Sequence, residues 1–201
     1  MNIEYEATFP NIDKDEIRER LKKAGAKLVR PEFLQKRIVF NLPKGNEIEG
    51  GWLRVRDEQD KVTMSLKIVT SGGIDNQKEI CLTVDSFENA VEFLNSIGCE
   101  CKGDGYQESK REIWILDSAE VCIDEWPYLE PFVEVEGESE DIVREAIKKL
   151  EFDYSQALFC AVDTLYGNKY GVTTEFINNE LATITFEGKD PFTKLQKNPQ
   201  S

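Results

Sequence analysis

The 201-residue chain contains no histidine. That absence removes Ser-His-Asp and Cys-His catalysis, imidazole metal ligation and histidine acid–base chemistry together. Any metal must then be held by oxygen or sulfur. Basic residues are outnumbered, with 25 Lys+Arg against 39 Asp+Glu and a net charge of −14. A general nucleic-acid coat needs a basic footprint, so no nucleic-acid partner is expected. No apolar run approaches the ~20 residues of a membrane-spanning helix, so no membrane partner is expected either. The opening MNIEYEATF has no basic segment followed by an apolar one, and no secretory signal is expected. Cysteine is sparse and odd in number: Cys81, Cys99, Cys101, Cys122 and Cys160. These read as reduced thiols in a cytoplasmic protein. The Cys99-x-Cys101 pair has neither a second pair nor a histidine, and does not make a four-ligand zinc site.

What is present suits a globular fold. Apolar residues make up 40% of the chain, too many for wholesale disorder. Asn2–Phe9 alternates, with Ile3, Tyr5 and Ala7 on one side and Glu4, Glu6 and Thr8 on the other, which is a strand pattern. Asp13, with Glu16 three residues on, starts a helix that carries Ile17, Leu21 and Ala24 and stops at Gly25. Strands follow at Lys27–Leu42, interrupted near Pro31, then at Trp52–Asp57, Val62–Val69 and Gln77–Val84. A second helix spans Asp85–Ile97, capped by Ser86 and stopped at Gly98. Strands return at Glu108–Leu116, Ala119–Glu125 and Phe132–Glu136. Helices are expected at Asp141–Leu150, capped by Ser139, and from Ser155 to about Tyr166, ending at Gly167. Thr174–Leu181 suggests a short helix, and Asp190–Ser201 a polar, mobile tail. Consecutive strands with short turns predict an α+β fold: a closed antiparallel eight-stranded β-barrel flanked by helices.

The polar faces of the strands are specific. Two-residue spacing puts Glu4 with Glu6, Arg54 with Arg56, Thr63 and Ser65 with Lys67, Glu79 with Cys81 and Thr83, Ser109 with Arg111, and Glu134 with Glu136. Any one pair reads as a solvated face. The combination, with apolar residues on the opposite faces (Ile3/Tyr5, Leu53/Val55, Leu66/Ile68, Val133/Val135 and, less cleanly, Ile113/Ile115), predicts a barrel that is charged inside and apolar outside. Four inward carboxylates suit Mg²⁺ or Mn²⁺, and inward Arg and Lys suit a polyanion.

These segments, in this order, resemble the CYTH family of triphosphate tunnel metalloenzymes, which includes class IV adenylyl cyclases, thiamine triphosphatases and inorganic triphosphatases. IEYEATF resembles the family's E-x-E-x-K strand, and WLRVR its R-x-R strand. SLK, KEI and KREIW are similar to the strands that follow. CIDEWPYLEPFVEVEG resembles its D-x-(W/L)-P…F-x-E-(I/V)-E-G segment. The likeness covers residues 1–170 as a tunnel domain and leaves 171–201 as a C-terminal extension, partly helical.

The resemblance implies roles residue by residue. Glu4, Glu6 and Glu136 would hold Mg²⁺ or Mn²⁺. Glu134 would assist as ligand or by orienting water, and Asp124 would contact metal or orient a basic residue. Arg54, Arg56, Lys67 and Arg111 would grip the triphosphate, with Lys67, Arg111 and Glu134 at the chemistry and Glu79 orienting the cations. The partner would be a triphosphate, ATP or thiamine triphosphate. The resemblance also allows a homodimer, and no motif decides it.

Two positions depart from the pattern, with Thr8 and Ser109 standing where the family carries basic residues. Lys110 is adjacent but points the other way on an ideal strand. Lys36, Arg37 or Lys169 could supply replacements. Trp126-Pro127 reads as a turn rather than a stacking platform. The first reading is therefore a metal-dependent triphosphatase. The alternatives are a class IV adenylyl cyclase and a non-catalytic polyphosphate- or nucleotide-binding module.

Overall fold

The computed structural model describes residues 1–70, 72–181 and 183–193. In chain order the elements are β1 (Asn2–Phe9), α1 (Lys14–Ala24), β2 (Lys27–Asn41), β3 (Gly51–Asp57), β4 (Val62–Val69), β5 (Gln77–Val84), α2 (Phe87–Ser96), β6 (Glu100–Leu116), β7 (Ala119–Glu125), β8 (Phe132–Gly137), α3 (Glu140–Lys149), α4 (Val162–Tyr170) and β9 (Thr183–Ile184). Eight strands pair in the order β2-β3-β4-β5-β1-β8-β7-β6, and β6 pairs back onto β2. The result is a closed antiparallel ring, not even enough about an axis to be called a barrel. The short β9 runs parallel to β6, with Tyr106 opposite Thr183.

Alternation decides which face is covered. The outer residues of β1, β6, β7 and β8 pack under α1 and α3: Ala7, Trp114, Val121, Ile123, Val133 and Val135 meet Ile17, Leu21, Val143 and Ile147 in one buried cluster. α2 sets Ala90 and Leu94 against Phe40 and Val55. The caps follow the sequence. Asp13 accepts from the backbone N–H of Asp15 and Glu16, both at 2.9 Å, and Gly25 ends α1 at φ 84°, a conformation open to glycine at little cost. Ser86 and Ser139 cap α2 and α3.

Several expectations are corrected. On β6 the packed outer residues are Trp114 and Leu116, while Ile113 and Ile115 continue the face of Arg111. β6 also begins eight residues earlier than the reading, at Glu100. Its first half holds Gly103 at φ 58°, where an added Cβ would stand 2.4 Å from the Leu181 carbonyl oxygen. The glycine that breaks the strand pattern is thus what lets the C-terminal segment approach.

The helix expected from Ser155 is a 3₁₀ turn at Tyr154–Gln156 followed by α4. Between them Leu158 pairs with Thr8 through two backbone hydrogen bonds of 2.9 Å, which holds this stretch extended. Gly167 lies inside α4, and Gly171 at φ 67° closes it. The short helix expected at Thr174–Leu181 is present: it starts helical at 174–175 and continues as a π-helical turn, Phe176–Glu180. Phe192, placed in the polar tail by sequence, is fully buried with Trp126, Leu165, Tyr166 and Ile184. The rest of that expected tail, 194–201, lies outside the described residues.

Candidate active site

Inside the ring lies a cavity of 260 Å³. Strand pairing brings distant parts of the sequence to its wall. Glu6 stands opposite Glu136 and Thr8 opposite Glu134 across β1 and β8. Lys67 faces Glu79 across β4 and β5, and Arg37 faces Arg56 across β2 and β3. Glu4, Glu6, Arg54, Arg56, Lys67, Glu79, Arg111, Glu134 and Glu136 all line the one cavity. Asp124 and Lys169 do not.

The cations are held by carboxylates. Arg54 Nη2 donates to Glu79 at 3.0 Å. Lys67 Nζ lies 2.9 Å from Glu4, a charge contact without hydrogen-bond alignment, and 4.0 Å from Glu79. Arg56 pairs at 2.6 Å with Glu58, a buried residue just after β3. Arg111 grips Asp124 with two hydrogen bonds, 2.8 and 2.6 Å, and also meets Glu134. Both Asp124 oxygens are thereby taken up behind Arg111, and the charge of Asp124 keeps the Arg111 guanidinium firmly ionised.

The acidic side is under strain of a different kind. Burial, with the neighbouring Glu134 charge, pushes the Glu6 carboxyl up to about 8, although Gln77 Nε2 donates to it at 2.8 Å. Burial, with the Glu79 carboxylate beside it, raises Glu4 to about 7. Burial also raises Glu136. Burial acts against ionisation at Glu134 as well, but the Arg111 and Lys67 charges outweigh it and lower its pKa. Carboxylates crowded in a cavity and reluctant to ionise are matched to an arriving cation. Their donor set is all oxygen, which fits Mg²⁺ or Mn²⁺. Among the described residues, no three Cys, Asp or Glu side chains already converge on one point as a metal cage.

The two departures resolve differently. Thr8 is buried, and its hydroxyl has no partner among the described residues. Ser109 is fully buried and hydrogen-bonds Gln35 Oε1 at 3.1 Å and the Arg37 guanidinium. Of the expected replacements, Arg37 lines the cavity. Lys36 is exposed. Lys169 lies away from it, pairing with Glu130 at 2.9 Å and the Tyr128 carbonyl at 2.8 Å. Lys110 points away, towards Glu125 and the Phe186 ring.

Sequence reasoning missed Lys102, Gln77, Glu120 and Trp52 in the wall. The alternation of β5 and β7 carried the signal for Gln77 and Glu120. Lys102 lay in the unread half of β6. The C-terminal segment adds Val162, Tyr166, Ile177 and Ile184 to the lining.

The model of the CYTH domain matches residues 2–165. No curated protein matches the sequence. Among solved structures, a protein from Pyrococcus horikoshii OT3 is 19% identical with a TM-score of 0.66, over 82% of this chain and 99% of that one. A Vibrio parahaemolyticus protein thought to be an adenylate cyclase is 11% identical, TM-score 0.68, over 83% and 98%. A Hippeastrum protein, a proposed adenylyl cyclase with a dominant triphosphatase activity, is 15% identical, TM-score 0.54, over 85% and 96%. At such identities the likeness is one of fold.

Proposed function

The chain belongs to the CYTH domain family, and we propose that it is a divalent-metal-dependent phosphohydrolase acting on a triphosphate. One observation carries the reading: Arg54, Arg56, Lys67 and Arg111 share a single cavity with Glu4, Glu6, Glu134 and Glu136. A cavity for a bare anion gains nothing from four inward carboxylates. A cavity for a bare cation gains nothing from the arginines. A metal–polyphosphate complex uses both.

In this reading the arginines and Lys67 bind non-bridging phosphate oxygens and stabilise the charge that develops as the P–O bond breaks, the chief demand of phosphoryl transfer. Glu79 holds Arg54 and Lys67 in place, and Asp124 orients Arg111. Glu134, kept ionised by Arg111 and Lys67, orients the attacking water. Water adds to the terminal phosphorus, and the bond to the bridging oxygen breaks, giving orthophosphate and a diphosphate. Glu4, Glu6 and Glu136, with Glu134, would hold Mg²⁺ or Mn²⁺. When bound, the metal supplies neutralisation of phosphate charge. Trp52, Val162 and Ile184 also line the cavity, and this apolar surface is of use to an organic triphosphate and not to the inorganic one.

The test is a product assay. The protein is incubated with ATP, thiamine triphosphate or inorganic triphosphate, with Mg²⁺ or Mn²⁺ at pH 7 and 9, and orthophosphate, pyrophosphate and cyclic AMP are followed together. Orthophosphate without cyclic AMP is expected. Cyclic AMP with pyrophosphate would instead make it a cyclase. Binding without turnover would make it a polyphosphate-binding module. Glu6→Ala should remove metal-dependent turnover while the protein stays folded.

A further inference from the structure

Four arginines line the cavity, and three of them have a carboxylate partner. The fourth, Arg37 on β2, has none among the described residues. It is 7% exposed. Its Nη2 donates to Gln35 Oε1 at 2.9 Å and meets the Ser109 hydroxyl. Its Nε has no hydrogen-bond partner among the described residues. The guanidinium carbon stands 4.3 Å from the centre of the Trp126 ring.

Each contact orients the guanidinium, and none neutralises it. Gln35 and Ser109 offer neutral oxygens, and Trp126 offers a flat face that fixes the plane. Burying a guanidinium without an anion is unfavourable. Burial and the nearby charges of Arg56, Arg54 and Arg111 press on its ionised form and outweigh the support of Asp124, whose two oxygens are already taken by Arg111. A side chain built in this way is held ready for a negative charge that the protein does not itself provide. Ser109 contributes by being small: position 109 faces Gln35 across β2 and β6, and a longer side chain there would take the space Arg37 fills.

We propose that Arg37 is a substrate-binding residue, presenting its unused N–H groups to the non-bridging oxygens of one phosphate group, with Gln35, Ser109 and Trp126 as the frame that aims it. The proposal rests on the reading of the cavity as a triphosphate site. It assigns the phosphate at this end to an arginine from β2 rather than to a basic residue on β1 or β6, and gives Trp126 a role beyond its turn.

The test is titration calorimetry of inorganic triphosphate in EDTA, with thermal melts with and without the ligand, on the wild type, Arg37→Gln and Arg37→Lys. Arg37→Gln should weaken binding about tenfold to a hundredfold, the range for losing hydrogen bonds to a charged group. Its ligand-free melting temperature should equal or exceed that of the wild type, because an unpaired buried charge has gone. Arg37→Lys should recover part of the affinity, since it keeps the charge but neither the fork nor the stacking. Equal affinity in wild type and Arg37→Gln would overturn the proposal. So would a lower ligand-free melting temperature with an unchanged triphosphate-induced shift, which would assign Arg37 to the fold. If Arg37→Gln does not fold, Arg37→Lys decides alone, and wild-type affinity in it overturns the phosphate fork. If the wild type binds triphosphate only once Mg²⁺ replaces EDTA, the same variants are compared in Mg²⁺; a wild type that binds it in neither condition would sink the reading of the whole cavity, a result distinct from an unaffected Arg37 variant.

Discussion

Outside the ring, where α1 crosses β6, Arg18 reaches Glu112 at 2.8 Å, and the same carboxylate accepts from Trp114 Nε1 at 2.6 Å. Glu112 is 5% exposed, and its oxygens are taken up by cation and indole. Inside the ring, Glu4 and Glu6 are pushed up to about 7 and 8, while Arg37 meets no carboxylate. The two regions bury the same kinds of side chain. They differ in what is left over: at Glu112 the charge is closed by the protein's own groups, whereas inside, beside three paired arginines, Glu4, Glu6 and Arg37 are not closed in this way. Closed charge on the outside fastens a helix to a sheet. Open charge on the inside costs stability and leaves a demand for ions from solution.

The sharpest test sets two inward arginines against each other. Arg111→Met strands the fully buried Asp124, and removing one partner of a buried pair costs about 3–5 kcal/mol. At about 2–4 °C per kcal/mol for a domain of this size, the melting temperature should fall by about 6–20 °C. A melt unchanged by this substitution would erase the distinction between paired and unpaired arginines.

Next in size is the pH dependence of the metal-free protein. The folded state holds the Glu4 and Glu6 protons more tightly than the unfolded state. The stability they contribute is therefore full below about pH 4.5 and is lost as pH rises through 7 to 8. In EDTA the melting temperature should drop by about 5 °C or more between pH 5 and 9, since each pK unit is worth about 1.4 kcal/mol. Glu6→Gln should flatten that slope, and a flat wild-type profile would contradict it.

On the outside, Glu112→Ala leaves the buried Trp114 N–H unpaired and should cost about 1–3 kcal/mol, read as a denaturant midpoint shift. Turnover should not change. A loss of turnover would show that the outer pair also serves the cavity. Smallest is Asp13→Ala, which removes the α1 cap and should cost about 1 kcal/mol with activity intact.

Much of the ring was legible because β geometry is local and binary. Asn2–Phe9 alternates strictly, and Val62–Val69 and Ala119–Glu125 do so up to their last residue, so their limits and faces could be read. Ser86, Ser139 and Asp13 fixed helix starts by cap chemistry. The first half of β6 was hidden because Gly103 serves a tertiary contact with Leu181, which no local pattern announces. The α4 start was hidden because Leu158 pairs with Thr8, far away in sequence. At the site, spacing gave the faces but not the partners. That Asp124 sits behind Arg111, that Glu58 reaches Arg56 and that Arg37 turns towards Ser109 all follow from strand register and side-chain length, which are set only once the ring closes.

Strand order also carries a timing constraint. β1 precedes both of its neighbours in the chain: it lies between β5 and β8, and β8 begins only at Phe132. A chain leaving the ribosome must therefore carry β1 with an open side until β8 is made, while Glu4 and Glu6 await neighbours not yet translated. The seam of β2 against β6 joins two of the longest strands across a wide gap in sequence, the kind of contact that slows folding. Acidic residues on that waiting strand repel other copies of themselves and disfavour edge-to-edge pairing between nascent chains. The carboxylates that line the finished cavity would thus act earlier as gatekeepers against misassembly.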